Sequence, residues 1–219
     1  RKNKIRFQMI NNLSEKTNKI LNDFAESQLN NTSGFMTEYD SMSLEDCVDR
    51  NQISYKPGFS EEYFIDTFKL SMINESLTEQ YAEAFRLGAD LYNADWLRTY
   101  INGFWVPDEL GHADPHKKIL MNFGYTEHEL DLMLKEAEEQ TSYKENHEAG
   151  LMPVQLTTFG LFQECITDYW YELQASLFPT GSNAKKILQK VKGREALHTV
   201  QYRDMTALPV SYTHLTLPT

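Results

Sequence analysis

Apolar residues recur at intervals of three and four positions along most of the chain, and this spacing predicts amphipathic helices. The first such stretch covers residues 4–29, and its apolar positions are Ile5, Ile10, Leu13, Ile20, Leu21 and Phe24. No part of the sequence shows the sustained alternation of apolar and polar residues that is typical of a β-strand. The chain is therefore predicted to be all-α.

Capping signals bound the helices that follow. Ser60 is a favourable N-cap, and Gly88 is a typical end for the helix that Ser60 begins. Thr126 and Glu129 form a capping box at the start of a short helix. The predicted helices after the first cover residues 60–87, 94–122, 126–140, 155–178 and 184–206. Residues 30–58 and 141–153 are predicted to be irregular connections, with a short helix at 44–50 in the first of them.

The predicted helix at 94–122 contains Pro107 and Pro115, which are unusual in a helix interior because proline lacks an N–H and clashes with the carbonyl of residue i−4. In both cases residue i−4 is a glycine, Gly103 or Gly111, which lets the backbone relax. We therefore expect one long distorted helix with a π-bulge near Glu109. The alternative is that Pro107 ends a helix.

Two of the predicted helices carry a lone glutamate on the face that should be buried. Met72 belongs to the apolar face of the helix at 60–87, and Glu75 lies three residues further along that face. Glu79 and Glu83 compete for the same role. The helix at 155–178 is strongly apolar and aromatic, is expected to be the most buried, and carries Glu164.

The other two long helices each carry a Glu-x-x-His pair, Glu109 with His112 and Glu195 with His198. Residues i and i+3 share one face of a helix, so both side chains of a pair can reach the same ion. The order Glu, Glu-x-x-His, Glu, Glu-x-x-His is the ligand pattern of ferritin-like four-helix bundles that bind two metal ions. The predicted fold is therefore an all-α, ferritin-like four-helix bundle with an additional N-terminal helix and short connecting helices.

Four carboxylates and two imidazoles suit iron or manganese, whereas structural zinc sites are richer in sulfur. Two such ions about 3.5 to 4 Å apart need bridging carboxylates plus terminal ligands on each ion. Four glutamate charges would offset the four positive charges of a diferrous pair, which makes the site tolerable in an apolar bundle. The predicted metal ligands are Glu75, Glu109, His112, Glu164, Glu195 and His198.

Each of these features alone has a simpler interpretation, because lone glutamates are usually solvated and isolated Glu-x-x-His pairs usually lie on a surface. Outside the pattern, we expect His116, His128 and His147 on the surface and Cys165 as a buried free thiol. A group of aromatic residues is expected to pack in the core. These residues are Trp96, Trp105, Phe159, Phe162, Tyr169, Trp170 and Tyr171.

The bulk properties exclude several classes of function. A chain of 219 residues can form one domain with a real core. The formal net charge of -11 argues against non-specific binding to nucleic acid and to anionic membranes. No apolar run reaches the length of a membrane span, and two cysteines suggest no disulfide framework, so we expect a cytoplasmic protein.

The two ends of the chain are treated apart from the fold. The chain starts at Arg1, so a longer native N-terminus is expected. Residues 207–219 do not continue the helical pattern and resemble a translated sequencing-adapter sequence, so they are interpreted as a non-native tail. The predicted domain covers residues 1–206, with the N-terminal helix and irregular segment at 1–58 and the dimetal bundle at 59–206.

The four stretches that contain the candidate ligands also carry a family resemblance. Residues 105–112 resemble a Trp-x-x-Glu-Glu-x-x-His box, with Asp108 in place of its first acid, and residues 158–167 resemble a Ser-Phe-Gln-Glu-Arg-Ala-Thr box. Glu75 and Tyr81 match the ends of a Glu-Glu-x-Leu-Pro-Thr-Tyr motif, and residues 195–198 match a final Glu-x-x-His. In this order the stretches resemble the soluble acyl-ACP desaturases over residues 63–206.

The resemblance implies an enzyme with two Fe²⁺ ions that uses O2 as co-substrate to introduce a double bond into a fatty acyl chain bound to acyl carrier protein. It also implies a ferredoxin-type electron donor, a homodimer, and a plastid stroma location if the source is plant-like. Thr167 matches a threonine that is thought to assist O2 activation in that family, so it is the candidate catalytic residue.

This sequence departs from the family pattern at several positions. The Leu-Pro-Thr core of the first motif is absent, and Arg194 stands where the family usually has an acid before the last glutamate ligand. That acid is expected to accept a hydrogen bond from a ligand histidine. Arg194 has no acceptor for it, which argues against this hydrogen bond here. The related di-iron aryl-amine N-oxygenases have an extra histidine at the position of Val191, which argues against that class.

Three functional alternatives follow. The first is the desaturase, with Lys185, Lys186, Lys190 and Lys192 as a candidate surface for an acidic carrier protein, although a lysine-rich face is usually just solvated. The second is another di-iron oxygenase, an N-oxygenase or hydroxylase, which a wide aromatic pocket would favour over a long narrow tunnel. The third is a non-enzymatic ferritin-like metal-binding protein, for which a cage of many subunits is expected.

Overall fold

The computed structural model describes residues 13–31, 53, 57–58, 60–140 and 151–215, and within them the chain forms helices and turns without a β-strand. This confirms the predicted all-α helical bundle. The helices are α1 (Glu15–Gln28), α2 (Glu61–Ser76), α3 (Thr78–Tyr92), α4 (Asp95–Tyr100), α5 (Val106–Glu109), α6 (Ala113–Asn122), α7 (Glu127–Gln140), α8 (Pro153–Ser176) and α9 (Asn183–Leu215). The expected short helix at 44–50, Cys47 and His147 lie outside the described residues.

The helix predicted at 60–87 is two helices, because α2 ends at Leu77 and α3 follows at once. Ser60 is confirmed as the N-cap, since its hydroxyl accepts a hydrogen bond from the backbone N–H of Tyr63. The predicted end at Gly88 is wrong, and α3 continues to Tyr92, where Asn93 adopts the left-handed conformation at φ 52°. Gly88 instead permits the close approach of α3 to the start of α8.

The proline-containing region is one distorted helical run, as predicted, but its wide turn lies earlier than expected. A π-helical segment, Ile101–Trp105, joins α4 to α5, and the backbone N–H of Val106 donates to the carbonyl of Ile101. This wide turn directly precedes Pro107, which cannot donate to the helix ladder. From residue 105 to residue 110 the backbone stays right-handed helical across Pro107. The alternative in which Pro107 ends the helix is therefore wrong.

Two apolar clusters lie at opposite ends of the bundle. One includes Phe85, Trp105 and Tyr202, and α1 packs on it through Leu21. The other is built from the first half of α2, from α6, from the end of α8 and from the start of α9. Along each of the four ligand-bearing runs, the candidate glutamate lies between residues of the first cluster and residues of the second, so the site is enclosed between them.

The outer side of α8 is exposed, which corrects the expectation that this is the most buried helix. Phe162 and Tyr169 are 63% and 67% exposed, and Phe159 is also exposed, so these three rings do not pack in the core. Cys165 is exposed as well, contrary to the expected buried thiol. The helix is apolar on its outer face as well as its inner face, so hydrophobicity alone did not distinguish the two.

The last helix is longer than predicted. It was expected to end near residue 206, but α9 continues to Leu215 and carries Pro209 inside it. Among the described residues, no helix is both long enough and apolar enough to cross a membrane.

Replacement of Gly88 and Gly193 by alanine should have opposite effects. An added Cβ at Gly88 would overlap the side chain of Leu156 and the carbonyl oxygen of Leu151, whereas at Gly193 it would meet no atom within 4 Å. We expect Gly88→Ala to destabilise the fold by about 1–3 kcal/mol through overpacking. Gly193→Ala should stabilise it by about 0.4–1 kcal/mol, because alanine restricts the unfolded chain.

Chemical denaturation followed by circular dichroism measures both effects. A Gly88→Ala variant as stable as the original chain would contradict the close packing of α3 against α8. A destabilised Gly193→Ala variant would contradict the open space next to Gly193.

Candidate metal centre

All six predicted ligands are buried and meet in the middle of the bundle. The most exposed of them, Glu75, has only 6% of its surface accessible, and both histidines have none. Charged side chains are almost never buried to this extent unless they are paired or bind metal. The site residues and the helical runs that carry them are Glu75 on α2, Glu109 on α5, His112 after α5, Glu164 on α8, and Glu195 and His198 on α9.

The six residues form two overlapping groups of four, and within each group the ligand atoms lie within 4.8 Å of one another. Glu109 and Glu195 belong to both groups, so they are placed to bridge two ions. Each group is completed by one further glutamate and one histidine. These terminal pairs are Glu75 with His112 and Glu164 with His198.

Several inward-facing atoms approach each other more closely than ordinary packing requires. Nδ1 of His198 lies 2.7 Å from Oε1 of Glu109 and 3.4 Å from Oε2 of Glu164. Among the described residues, neither His198 Nδ1 nor Glu109 Oε1 makes a hydrogen bond of good geometry, and the same is true of Glu195 Oε1. Buried polar atoms are nearly always satisfied, so these convergent atoms fit a cation between them.

Burial and mutual repulsion perturb the carboxylates. Burial raises the pKa of Glu75 well above its usual range, and the charges of Glu195 and Glu109 raise it further. Burial, together with Glu164, raises the pKa of Glu195 to about 7. Burial also opposes ionisation of Glu109, but the neighbouring histidines outweigh it and lower the pKa of that carboxyl. Without cations, protons must therefore balance part of the buried charge.

The two histidines respond in the opposite sense. Burial alone would lower the pKa of His112, but the carboxylates of Glu109 and Glu195 raise it well above its usual value. The pKa of His198 is raised in the same way against burial, by Glu109 and Glu164. A divalent ion would replace these protons, because metal binding requires neutral imidazole and ionised carboxylate.

A carboxylate outside the ligand set orients His198. The imidazole donates from Nε2 to Oδ2 of Asp108 at 2.8 Å, which leaves Nδ1 to face the glutamates. Burial opposes ionisation of Asp108, but hydrogen bonds from His198 and Arg194 outweigh it and lower the pKa of the carboxyl to about 2. His198 therefore has a carboxylate partner in Asp108, whereas the hydrogen bond that an acid at position 194 would accept is lost with Arg194.

Two side chains hold the glutamates of α8 and α9. Trp105 Nε1 donates to Oε1 of Glu164 at 2.9 Å, so Trp105 is a partner of the site as well as a core residue. The sequence interpretation missed this role, although the tryptophan opens the Trp-x-x-Asp-Glu box. The hydroxyl of Thr167 donates to Oε2 of Glu195 at 2.9 Å, which places the candidate catalytic residue next to the ligands.

A pocket with a volume of about 70 Å³ leads from the outer surface between α2 and α8 to the ligand cluster. Asn74 and Gln163 lie at its exposed end, and Thr167 lies beside them. Four aromatic rings line the pocket. These rings belong to Tyr81, Phe85, Trp105 and Phe159.

The remaining histidines divide between surface and core. His128 is exposed, as expected. The expectation for His116 is wrong, since it is fully buried and its Nδ1 lies 2.9 Å from the carbonyl oxygen of His112. Burial lowers the pKa of His116 to about 4, so it is neutral near pH 7. It lies one helical turn after His112 and supports the backbone of that ligand.

Comparison of the chain with protein-family models, curated proteins and solved structures finds no match.

The metal-free protein should lose stability as the pH rises from about 5 to 8. The folded state raises the pKa of Glu195 from 4.5 to about 7, and it also raises the pKa of Glu75, His112 and His198. The folded state thus binds more protons than the unfolded chain, and its stability declines as those protons are lost. The lowered pKa values of Asp108 and Glu109 act only at more acidic pH. The lowered pKa of His116 opposes the decline only up to about pH 6.5, where this histidine also loses its proton in the unfolded chain.

Thermal unfolding of the metal-free protein at several pH values measures this decline, and Glu195→Gln should reduce it. Added Mn²⁺ should raise the unfolding temperature more at pH 8 than at pH 5, because at pH 5 the ion competes with protons. A metal-free protein that becomes more stable towards pH 8 would contradict the buried charge cluster.

Proposed function

We propose that this chain is an O2-dependent di-iron oxidoreductase that introduces a double bond into a fatty acyl chain carried by an acyl carrier protein. The observation that carries the dimetal part is the pair of overlapping ligand groups that share Glu109 and Glu195. The desaturase part is supported by the four motif stretches and by the position of Thr167 against Glu195.

The chain's own residues would hold and orient the two ions. Glu109 and Glu195 would bridge them, and each terminal pair would complete one ion's ligand set. When bound, the ferrous pair supplies the reduction of O2 and the oxidising power for C–H cleavage. The overall reaction consumes one O2, two electrons from the ferredoxin-type donor, two protons, and the two hydrogens that leave adjacent methylenes, and it yields the double bond and two waters.

Thr167 is suited to hold Glu195 and to contact a molecule in the pocket. Its hydroxyl lies in the pocket wall, donates to Oε2 of Glu195, and also lies 3.1 Å from the carbonyl oxygen of Glu164. A hydroxyl can donate to one acceptor while it accepts from another donor. Thr167 can therefore hold the Glu195 carboxylate in place and accept a hydrogen bond from a molecule that enters the pocket.

The pocket supports a second candidate function. Aromatic rings form much of its wall, and Asn74 and Gln163 at its exposed end place it in direct reach of solvent. At about 70 Å³ the pocket is smaller than the roughly 300–1,000 Å³ of usual ligand pockets, so it suits only a compact molecule that enters from the side. N-oxygenation or hydroxylation of a smaller molecule is therefore the alternative reaction at the same centre.

The lysine-rich side of α9 is only partly available to an acidic carrier protein. Lys192 already forms ion pairs with Glu172 at 2.9 Å and with Asp168 at 3.9 Å. Lys185 and Lys186 remain the candidate contacts for the carrier, near the start of the helix.

A product assay tests the proposed reaction. The iron-loaded protein is incubated with stearoyl-ACP and palmitoyl-ACP, a reduced ferredoxin system and O2, and the acyl chains are analysed by mass spectrometry. We expect an unsaturated product that depends on O2 and disappears in Glu109→Ala. Oxidation of an aryl amine without desaturation would favour the second candidate, and no product from either class in an iron-loaded protein would contradict both reactions.

Thr167→Val should separate catalysis from metal binding. Loss of the hydroxyl removes a partner of Glu195 but no ligand, so iron content should be unchanged while turnover falls about 10- to 100-fold, as is typical of partners to ligands. Thr167→Ser should retain most activity because it keeps the hydroxyl. Equal activity of the valine and serine variants would show that the hydroxyl has no role in turnover.

The expected homodimer has a candidate interface on the outer side of α2 and α8. Such a dimer would cover the exposed end of the pocket, so side entry of a compact substrate applies to the monomer. These helices are neighbours, since Trp170 Nε1 donates to the hydroxyl of Ser71 at 3.0 Å. Seven large apolar side chains of the two helices are 37–67% exposed. They are Tyr63 and Leu70 on α2, and Phe159, Phe162, Ile166, Tyr169 and Leu173 on α8.

The area and symmetry of this outer face suit a second copy of the chain. At about 200 Å² per large side chain, the exposed fractions amount to about 700 Å² of apolar surface. That exceeds the usual largest patch of a monomer, about 300–600 Å², and approaches the roughly 800 Å² per partner of a stable interface. The five exposed apolar side chains of α8 are centred on Ile166. The α8 helices of two copies could therefore pack antiparallel around a twofold axis at Ile166.

Ile166→Glu should therefore convert a dimer into a monomer. The added charge would have to be buried at the centre of the interface, which is costly without a partner. Sedimentation velocity measures the change, and Leu132→Glu is the control, because Leu132 is 48% exposed on α7, outside this face. A monomeric original chain would contradict the interface, and a large cage would instead favour metal storage.

A further inference from the structure

Arg194 and Asp108 form a buried pair beside the metal centre. Arg194 donates from Nε to Oδ2 and from Nη2 to Oδ1 of Asp108, each at 2.8 Å, so both carboxylate oxygens are engaged. The side chains are 16% and 4% exposed, and the guanidinium lies 5.7 Å from the ring centre of Phe104. A bidentate pair of this kind fixes the plane of the carboxylate.

The fixed carboxylate determines which nitrogen of His198 faces the metals. Asp108 accepts from Nε2–H of His198 at 2.8 Å, so Nδ1 points toward Glu109 and Glu164 and becomes the ligand nitrogen when an ion replaces its proton. Such a partner holds the ring orientation and increases the basicity of the ligand nitrogen. Arg194 therefore acts on the metal centre through Asp108.

The residue directly before the glutamate differs between the two Glu-x-x-His motifs. Asp108 directly precedes Glu109 and reaches His198 of the other motif. Residue 194 directly precedes Glu195, and it is an arginine, which has no acceptor to offer to His112. Arg194 turns to Asp108 instead, so both preceding residues serve the same histidine.

We propose that Arg194 is a positioning residue that makes the two metal positions unequal, so that the Glu164–His198 position binds its ion first and more tightly than the Glu75–His112 position. The inference rests on the dimetal part of the proposed function and is independent of the substrate. The Asp108–Arg194 pair is neutral overall, so it strengthens one ligand without adding net charge to the four glutamates.

Anaerobic titration of the metal-free full chain with Co²⁺, followed by visible absorption, tests the proposal without any turnover. We expect two binding steps for the original chain. His112→Ala should keep the tight step and lose the weak one, whereas His198→Ala should lose the tight step. Arg194→Leu should weaken the tight step about 10- to 100-fold, the usual cost of losing such a partner, and leave the weak step unchanged.

Two further variants keep the result interpretable. Arg203→Leu is the matched control, because Arg203 lies on the same helix and pairs with Asp204 at the surface. Arg194→Lys retains the charge but loses the bidentate geometry, so its tight step should fall between those of the original chain and the leucine variant. Circular dichroism checks that each variant folds, and the lysine variant decides the question if the leucine variant does not.

The proposal is overturned if His112→Ala loses the tight step, or if folded Arg194 variants weaken both steps equally or neither. A folded original chain that binds no Co²⁺ would overturn the dimetal centre as well. Unequal Co²⁺ binding in a protein that forms no unsaturated product would leave the inference intact and contradict only the desaturase reaction.

Discussion

Compensation of buried charge is the constraint on which the rest of this structure depends. Four glutamates lie in the middle of an apolar bundle with almost no access to water, and isolated carboxylates in such a place are prohibitively costly. Two histidines and the protons that they hold can offset only part of that charge. Two divalent ions would offset all of it, and the ligand atoms already converge in two groups of the right composition.

The surrounding helices are organised so that these groups converge. The break at Leu77 and the π-helical segment before Pro107 both occur close to a ligand, where regular helix geometry gives way. Apolar clusters above and below the centre fix the four runs against each other. Outside the ligands, Asp108, Trp105 and Thr167 hold individual ligand side chains, so the site is positioned by a surrounding layer of hydrogen bonds.

The sequence was sufficient to predict which six residues meet in the buried cluster, because their spacing follows helix geometry. Glu109 and His112 share a face by periodicity alone, and Glu75 follows from its register with Met72. Periodicity could not predict His116, because a histidine in an amphipathic helix has the same pattern whether it is buried or exposed. It also misassigned Phe162, since a ring on an outer apolar face gives the same local signal as a ring in the core.

Contacts between distant parts of the chain were the least predictable. Nothing local to Arg194 indicates that it pairs with a residue 86 positions away, and the family pattern pointed to an acid at that position. The end of α3 was misplaced for a related reason, because Gly88 serves a tertiary contact with α8 rather than a helix end. In both cases the residue type was informative, but its partner was set by the assembled bundle.

The most direct test of the central claim is the iron content of the anaerobically reconstituted full chain, measured beside Glu109→Ala, Glu195→Ala and the surface control Glu172→Ala. The account predicts two irons per chain in the original protein and in the control, and loss of iron in both bridging variants. A folded original chain that binds no iron, or bridging variants that keep both irons, would contradict the dimetal centre.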